Sequence, residues 1–249
     1  VGRKAIARAL SDLAAMAAEP LCTLAAASFP PAAGEDTCLS LCRALWEWAT
    51  EFEAPLVGGD ISSSQGGIML TITVLGTPGP AGSVTRGGAQ PGDSICVTGG
   101  LGGSLRGRHL AFTPRLKEAI ELANRTELHA MIDISDGLST DLHHVCRASK
   151  VGAVLQALNL PVHQDLKDAV PDALPGDPEL VDRALNDGED YELLFCAPEN
   201  DARRAESMGV GDVPVSIVGK ITDGSGVILQ WPDGQSRKLE RGGWEHLTG

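Results

Sequence analysis

The chain has 249 residues, 43% of them hydrophobic, six cysteines and a formal net charge of −13. Such a length suits one large domain or two ordinary ones, and two lobes are expected. The 20 lysines and arginines are scattered and outnumbered by 33 acidic residues, which excludes a basic face for nucleic acid. No apolar run reaches the roughly 18 residues a membrane span needs. The N-terminal "VGRKAIARALSDLAAMAAEP" is amphipathic without a signal-cleavage region, so a cytoplasmic protein with no membrane partner is expected. Cys22, Cys38, Cys42, Cys96, Cys146 and Cys196 form no C-x-x-C and lie mostly in apolar stretches, so reduced thiols and no zinc are expected.

In chain order, residues 4–18 read as an alanine-rich helix, 21–28 as a short apolar strand, and 37–53 as a helix with Leu41, Leu45 and Trp48 on one face. "APLVGGD" reads as a buried strand ending in glycines, and "GIMLTITVLG" as a longer strand. The Gly- and Pro-rich "TPGPAGSVTRGGAQPGD" that follows places a boundary near residue 90, between lobes at 1–90 and 91–249. Beyond it, "SICVTG" reads as a strand, "GGSLRGRHLAFTPRLKEAIELANR" as mostly helix, "AMIDIS" as a strand and "GLSTDLHHVCRAS" as a helix. "GAVLQAL", "DPELVDRALND", "DYELLFCAP", "NDARRAESM" and "VPVSIVGKI" continue a mixed α/β pattern with no repeat at a fixed period.

Acidic residues recur where these elements end. Asp133, Ser135 and Asp136 fall between "AMIDIS" and the following helix, Asp60 closes "LVGGD", Asp12 lies in "ALSDLAAM", and Asp187, Glu189 and Asp190 precede "YELLF". For Ser135 or Asp136 alone, an N-cap is the better explanation. A gathering of carboxylates is different, because like charges in a low-dielectric cleft repel unless a cation joins them. Magnesium suits such a set, since it accepts few carboxylates and keeps positions for water and substrate phosphates. No G-x-x-x-x-G-K-S/T occurs, and "VTGGLGGSLRG" fails G-x-G-x-x-G. Carboxylate-held metal would then do much of a P-loop's work. His143 and His144 read as helix surface, because adjacent helical residues do not face one site.

The ordered set "LSDLAAMAAEP", "LVGGD", "VTRGGAQPGD", "IDISDGLSTDL", "GEDYELLF" and "GGWEHL" resembles thiamine-monophosphate kinase, of the superfamily of aminoimidazole ribonucleotide synthetase, selenophosphate synthetase and the hydrogenase-maturation dehydratase. The resemblance spans nearly the whole chain. It implies a two-lobed α/β (α+β) fold, a homodimer joined through the N-terminal lobe, and magnesium-dependent transfer of phosphate from ATP to thiamine monophosphate. By the matching motifs, Asp12, Asp60, Asp133 and Asp136 are implied metal ligands, Gly59, Asp60, Arg86 and Ser135 implied ATP contacts, and Asp136 and Arg86 the catalytic residues. Glu189 and Trp244 are implied contacts to thiamine monophosphate. The plainer readings, ranked below these, are a C-terminal hydrophobic contact for Trp244 and a surface ion pair for Arg86.

The family's early G-D-D and S-T-D segments do not occur, so the N-terminal lobe is expected to be incomplete and to expose apolar surface. A binder of nucleotide or thiamine phosphate without turnover therefore stays open beside the enzyme. So does another ATP-dependent member of the superfamily, against which "GEDYELLF" and "GGWEHL" speak.

Overall fold

A computed structural model describes residues 1–243. The first elements are α1 (Gly2–Ala14), β1 (Ala18–Phe29), α2 (Glu35–Glu51), β2 (Leu56–Ser63) and β3 (Met69–Pro78). The three strands form a sheet in the order β2-β1-β3, parallel between β1 and β2 and antiparallel between β1 and β3. Along β3 the side chains alternate. Leu70, Ile72 and Val74 turn toward Ile6, Leu10 and Leu13 of α1 and Leu45 and Ala49 of α2. Helices cover one face only, and Val57, Ile61, Met69 and Leu75 stay exposed.

The remaining strands are β4 (Ser94–Thr98), β5 (Ala130–Asp133), β6 (Gly152–Gln156), β7 (Leu193–Ala197), β8 (Val215–Thr222), β9 (Gly226–Gln230) and β10 (Ser236–Leu239). They form a second sheet in the order β10-β9-β6-β8-β4-β7-β5, with β6 and β9 parallel and the other pairs antiparallel. Helices α4 (Leu138–Ser149), α5 (Gln164–Ala169) and α6 (Pro178–Asn186) cover one face, and α3 (Leu116–Arg125) and α7 (Glu199–Met208) the other. On β4, Ile95 and Val97 enter one core while Cys96 enters the other. On β7, Leu194 and Cys196 oppose Leu193, Phe195 and Ala197. A sheet covered on both faces requires such unbroken apolar strands. All six cysteines are unpaired, and Cys96, Cys146 and Cys196 are buried.

Three sequence expectations are corrected here. The "APLVGGD" strand is not buried, because β2 is an edge strand exposed along most of its length. The span 102–125 is not mostly helix. Residues 104–106 and 108–110 are single 3-10 turns, set by Gly102, Gly103 and Gly107 at φ +83°, +72° and +140°, and only Leu116–Arg125 is α-helical. The first helix ends at Ala14 rather than residue 18, where the longer β1 has already begun.

Candidate active site

Helix α1 lies between the two sheets. Ile6, Leu10 and Leu13 pack on the smaller sheet, while Ala14 joins the core that holds Met131 and Phe195 of the larger one. This placement carries Asp12 to the end of β5. There Ser11 donates a hydrogen bond to buried Asp133 (Oγ to Oδ2, 2.7 Å). A cleft of about 650 Å³ opens at that point, lined by Lys4, Arg8 and Asp12 of α1, the edge of β3, Asp133, Ser135, Asp136 and Tyr191. A larger cavity of about 1030 Å³ lies between Gly99–Gly100 and residues 157–176, but none of the implied site residues lines it. The smaller cleft is the one that gathers the implied carboxylates.

The loop from Asp133 to Gly137 is shaped by a residue the sequence reading missed. Asp141, in the first turn of α4, accepts the N–H groups of Ser135, Asp136 and Gly137 at 3.1, 3.1 and 3.2 Å. Neither Ser135 nor Asp136 caps α4: its N-cap is Gly137 at φ +114°. The capping explanation for "SDG" therefore falls: no side chain caps α4, the loop's own N–H groups turn back onto Asp141, and the Asp136 carboxylate is left to the cleft.

"GEDYELLF" is tied to this loop. The N–H of Glu189 donates to the Ser135 carbonyl and that of Tyr191 to Ile134, while the N–H of Ile134 donates to Glu192, each at 2.8 Å. The turn is tight: Gly188, Glu189 and Tyr191 all have positive φ, at +68°, +57° and +53°. Two non-glycine residues there cost roughly 1–3 kcal/mol each and persist only where neighbours hold them. The neighbours are visible. Buried Asp190 accepts from the Gly102 N–H at 3.0 Å and from Arg108 at 3.0 Å, and Glu192 accepts from Thr98 at 2.7 Å and Arg115 at 2.8 Å. Glu189 itself pairs with Lys4 across the cleft.

Electrostatics mark the same place. Burial, and then the charge of Asp12, push Asp133 up to about 7, and burial raises Asp12 against the opposing charge of Arg8. Asp141 is pushed up to about 8 by burial and by Asp133 and Asp136, against the N–H groups it accepts. Asp12, Asp133 and Asp136 offer only hard oxygen donors to an open cleft, and their charges repel; this donor set fits magnesium. Asp136, Asp141 and His144 also bring one ligand atom each within 4.8 Å of one another. His144 is half-buried in this group, whereas His143 bonds back to the Ser139 carbonyl at 2.6 Å. The adjacency rule excludes two histidines from one site, not one of them.

Not every implied residue meets the cleft. Asp12, Asp133, Ser135 and Asp136 line it, and Glu189 reaches it through Lys4. Gly59 and Asp60 lie on β2, paired with Ala25 and Ala26 of β1, on the far side of the sheet from the cleft-lining β3. A Cβ on Gly59 would sit 1.8 Å from the Ala25 carbonyl oxygen, which accounts for glycine there by close packing. Arg86 acts on His144, whose pKa is lowered first by burial and then by that guanidinium, and so stands on the α4 side of Asp136. Trp244 lies outside the described residues. Just before it, Gly242 and Gly243 donate to the hydroxyls of Ser139 and Thr140, both at 3.2 Å, and a Cβ on Gly243 would meet the Asp136 carbonyl oxygen at 1.8 Å.

Comparison with known proteins places the fold. Residues 1–77 match the family "AIR synthase related protein, N-terminal domain" and residues 93–232 match "AIR synthase related protein, C-terminal domain". The two-sheet fold and its paired matches define an AIR synthase related protein. Among curated proteins, thiamine-monophosphate kinase of Rhodopirellula baltica is 38% identical over 97% of this chain and 73% of its own length. That of Pyrococcus horikoshii is 31% identical over 100% and 79%. The structure of AaThiL complexed with AMPPCP and TMP superposes with a TM-score of 0.82 at 27% identity, covering 99% of this chain and 80% of the other. The enzyme from Stenotrophomonas maltophilia K279a gives 0.76 at 34%, over 95% and 79%. Within its class the chain belongs to the thiamine-monophosphate kinase family.

Proposed function

We propose that the chain transfers the terminal phosphoryl group of ATP to thiamine monophosphate, giving thiamine diphosphate and ADP, with magnesium held by Asp12, Asp133 and Asp136. One observation carries the reading: three carboxylates from α1 and the end of β5 meet in one cleft whose wall is hydrogen-bonded to the "GEDY" turn. AaThiL, crystallised with an ATP analogue and TMP, supports the choice of substrates. Bound magnesium supplies charge neutralisation and a template for donor and acceptor oxygens.

The protein residues do the positioning. The acceptor oxygen belongs to a phosphate already ionised at neutral pH, so no strong general base is required. Ser135 offers a hydroxyl beside the donor, Arg86 places a guanidinium on the α4 side, and the Glu189 carboxylate suits a cationic ring on the acceptor. Holding both substrates in line and screening their charge lowers the barrier.

The test is chromatographic detection of thiamine diphosphate, with and without magnesium. Product formed only with magnesium supports the proposal; AMPPCP binding without any product supports a non-catalytic binder. A homodimer belongs to the same proposal, its support being the exposed Val57, Ile61, Met69 and Leu75 on the open face of the smaller sheet. Ile61→Glu should turn a dimer into a monomer in light scattering, and an unchanged mass would remove that face from the interface.

A further inference from the structure

Helix α1 carries Lys4, Arg8 and Asp12 at four-residue spacing, hence on one face, and all three line the cleft. Two helical turns, roughly 12 Å, separate the first from the last. The ends of this row are committed. Lys4 pairs with Glu189, and Asp12 stands with Asp133 and Asp136.

Arg8, in the middle, is exposed to the cleft, and among the described residues its guanidinium makes no hydrogen bond or ion pair with another side chain. An arginine facing a carboxylate-rich cleft without a bonded partner has all its donors available in a planar fork that matches a phosphate. Burial raises the pKa of both Asp12 and Tyr191, and the charge of Arg8 opposes that rise in each, so it stands near both.

We propose that Arg8 is a further substrate-binding residue whose guanidinium takes the phosphate of the acceptor. The inference rests on the reading of the cleft as a thiamine monophosphate site. An acceptor with its cationic ring toward Glu189 must bring its phosphate to the carboxylates at the other end of α1, and Arg8 is the cation on that route. The rival role is a counter-ion for Asp12, which would tie Arg8 to the metal and the donor instead.

The experiment is calorimetric titration of thiamine monophosphate, unphosphorylated thiamine and magnesium–AMPPCP into the wild-type chain, Arg8→Ala and Arg8→Lys. Arg8→Ala should weaken thiamine monophosphate by about 10- to 100-fold, the range for a lost charge-assisted hydrogen-bond pair. Thiamine and magnesium–AMPPCP should stay within about twofold, and Arg8→Lys should recover part of the loss. The melting temperature should hold, because no folded-state bond is removed. Equal loss of thiamine and its monophosphate, or loss of magnesium–AMPPCP with the monophosphate retained, overturns the assignment. A wild-type chain that binds magnesium–AMPPCP but not thiamine monophosphate overturns the substrate reading itself. Wild-type binding with an unaffected Arg8→Ala overturns only the role of Arg8.

Discussion

The two sides of the cleft are built differently. On the larger-sheet side, Asp133, the 134–137 loop and the "GEDY" turn are buried or half-buried, cross-bonded and anchored by Asp141, Asp190 and Glu192. On the smaller-sheet side, α1 presents Lys4, Arg8 and Asp12 from a helix over a sheet covered on one face only. Fixed dipoles and strained backbone belong where charge must be held without reorganisation, and a larger, doubly covered core can hold them. The long, adjustable side chains sit where substrates arrive. The division sets the fixed carboxylates Asp133 and Asp136 on one wall and the reaching cations Lys4 and Arg8 on the other, with Asp12 of α1 joining the two.

The largest effect should come from the rigid side. Asp136→Asn should cut turnover by on the order of 100- to 1000-fold, the scale of losing one fixed electrostatic group, while the melting temperature changes little, since Asp136 does not cap α4. Single-turnover product formation checks it. Near wild-type turnover would mean that Asp136 only faces the cleft.

Next comes Asp190→Ala, which removes a buried carboxylate and leaves Arg108 and the Gly102 N–H without it. Breaking a buried pair from one side costs about 3–5 kcal/mol, so denaturant unfolding should show a loss of that order. Turnover should fall beyond what unfolding explains, because the left-handed Glu189 and Tyr191 lose their support. A destabilised but fully active variant would uncouple the turn from the site.

The pH dependence is smaller and has a defined sign. Asp133 has a folded pKa of about 7, above its usual 3.8. Its contribution to stability is therefore complete below the unfolded pKa and is lost as pH rises through about 7. A metal-free protein should melt progressively lower between pH 4 and about 7, by an amount on the order of a few kcal/mol from this group. Magnesium should raise the melting temperature more at pH 8 than at pH 5, because it favours the ionised carboxylates. An equal rise at both pH values would detach Asp133 from the metal.

Legibility in the sequence followed the same division. The inner strands β4, β5 and β7 of the larger sheet are largely apolar runs, and the acidic residues at the end of β5 and in "GEDYELLF" stand out against them. What failed was either local backbone or tertiary facing. The glycines at 102, 103 and 107 break a helix-like composition because their φ values are positive. The exposure of β2 depends on its edge position, which the run "APLVGGD" does not reveal. Lys4 and Arg8 look like the ordinary polar face of an alanine-rich helix until the larger sheet supplies the other wall of the cleft. Asp141 was within reach, being a carboxylate in the first helical turn just after a glycine, where free N–H groups gather.

The smallest effect sharpens the acceptor side. Gly242 and Gly243, which precede Trp244 in the sequence, bond at the start of α4, where Gly243 packs on the Asp136 carbonyl. If the indole of Trp244 serves the acceptor, as the family resemblance implies, its π face suits a thiazolium cation by an interaction of about 0.5–2 kcal/mol. Trp244→Ala should then weaken thiamine monophosphate and unphosphorylated thiamine alike, by roughly 2- to 30-fold, because the ring and not the phosphate is recognised. That pattern is the complement of Arg8→Ala, which should separate the two ligands. Magnesium–AMPPCP affinity should not move. Loss of the nucleotide with thiamine binding retained would put the C-terminal motif on the donor side of the cleft.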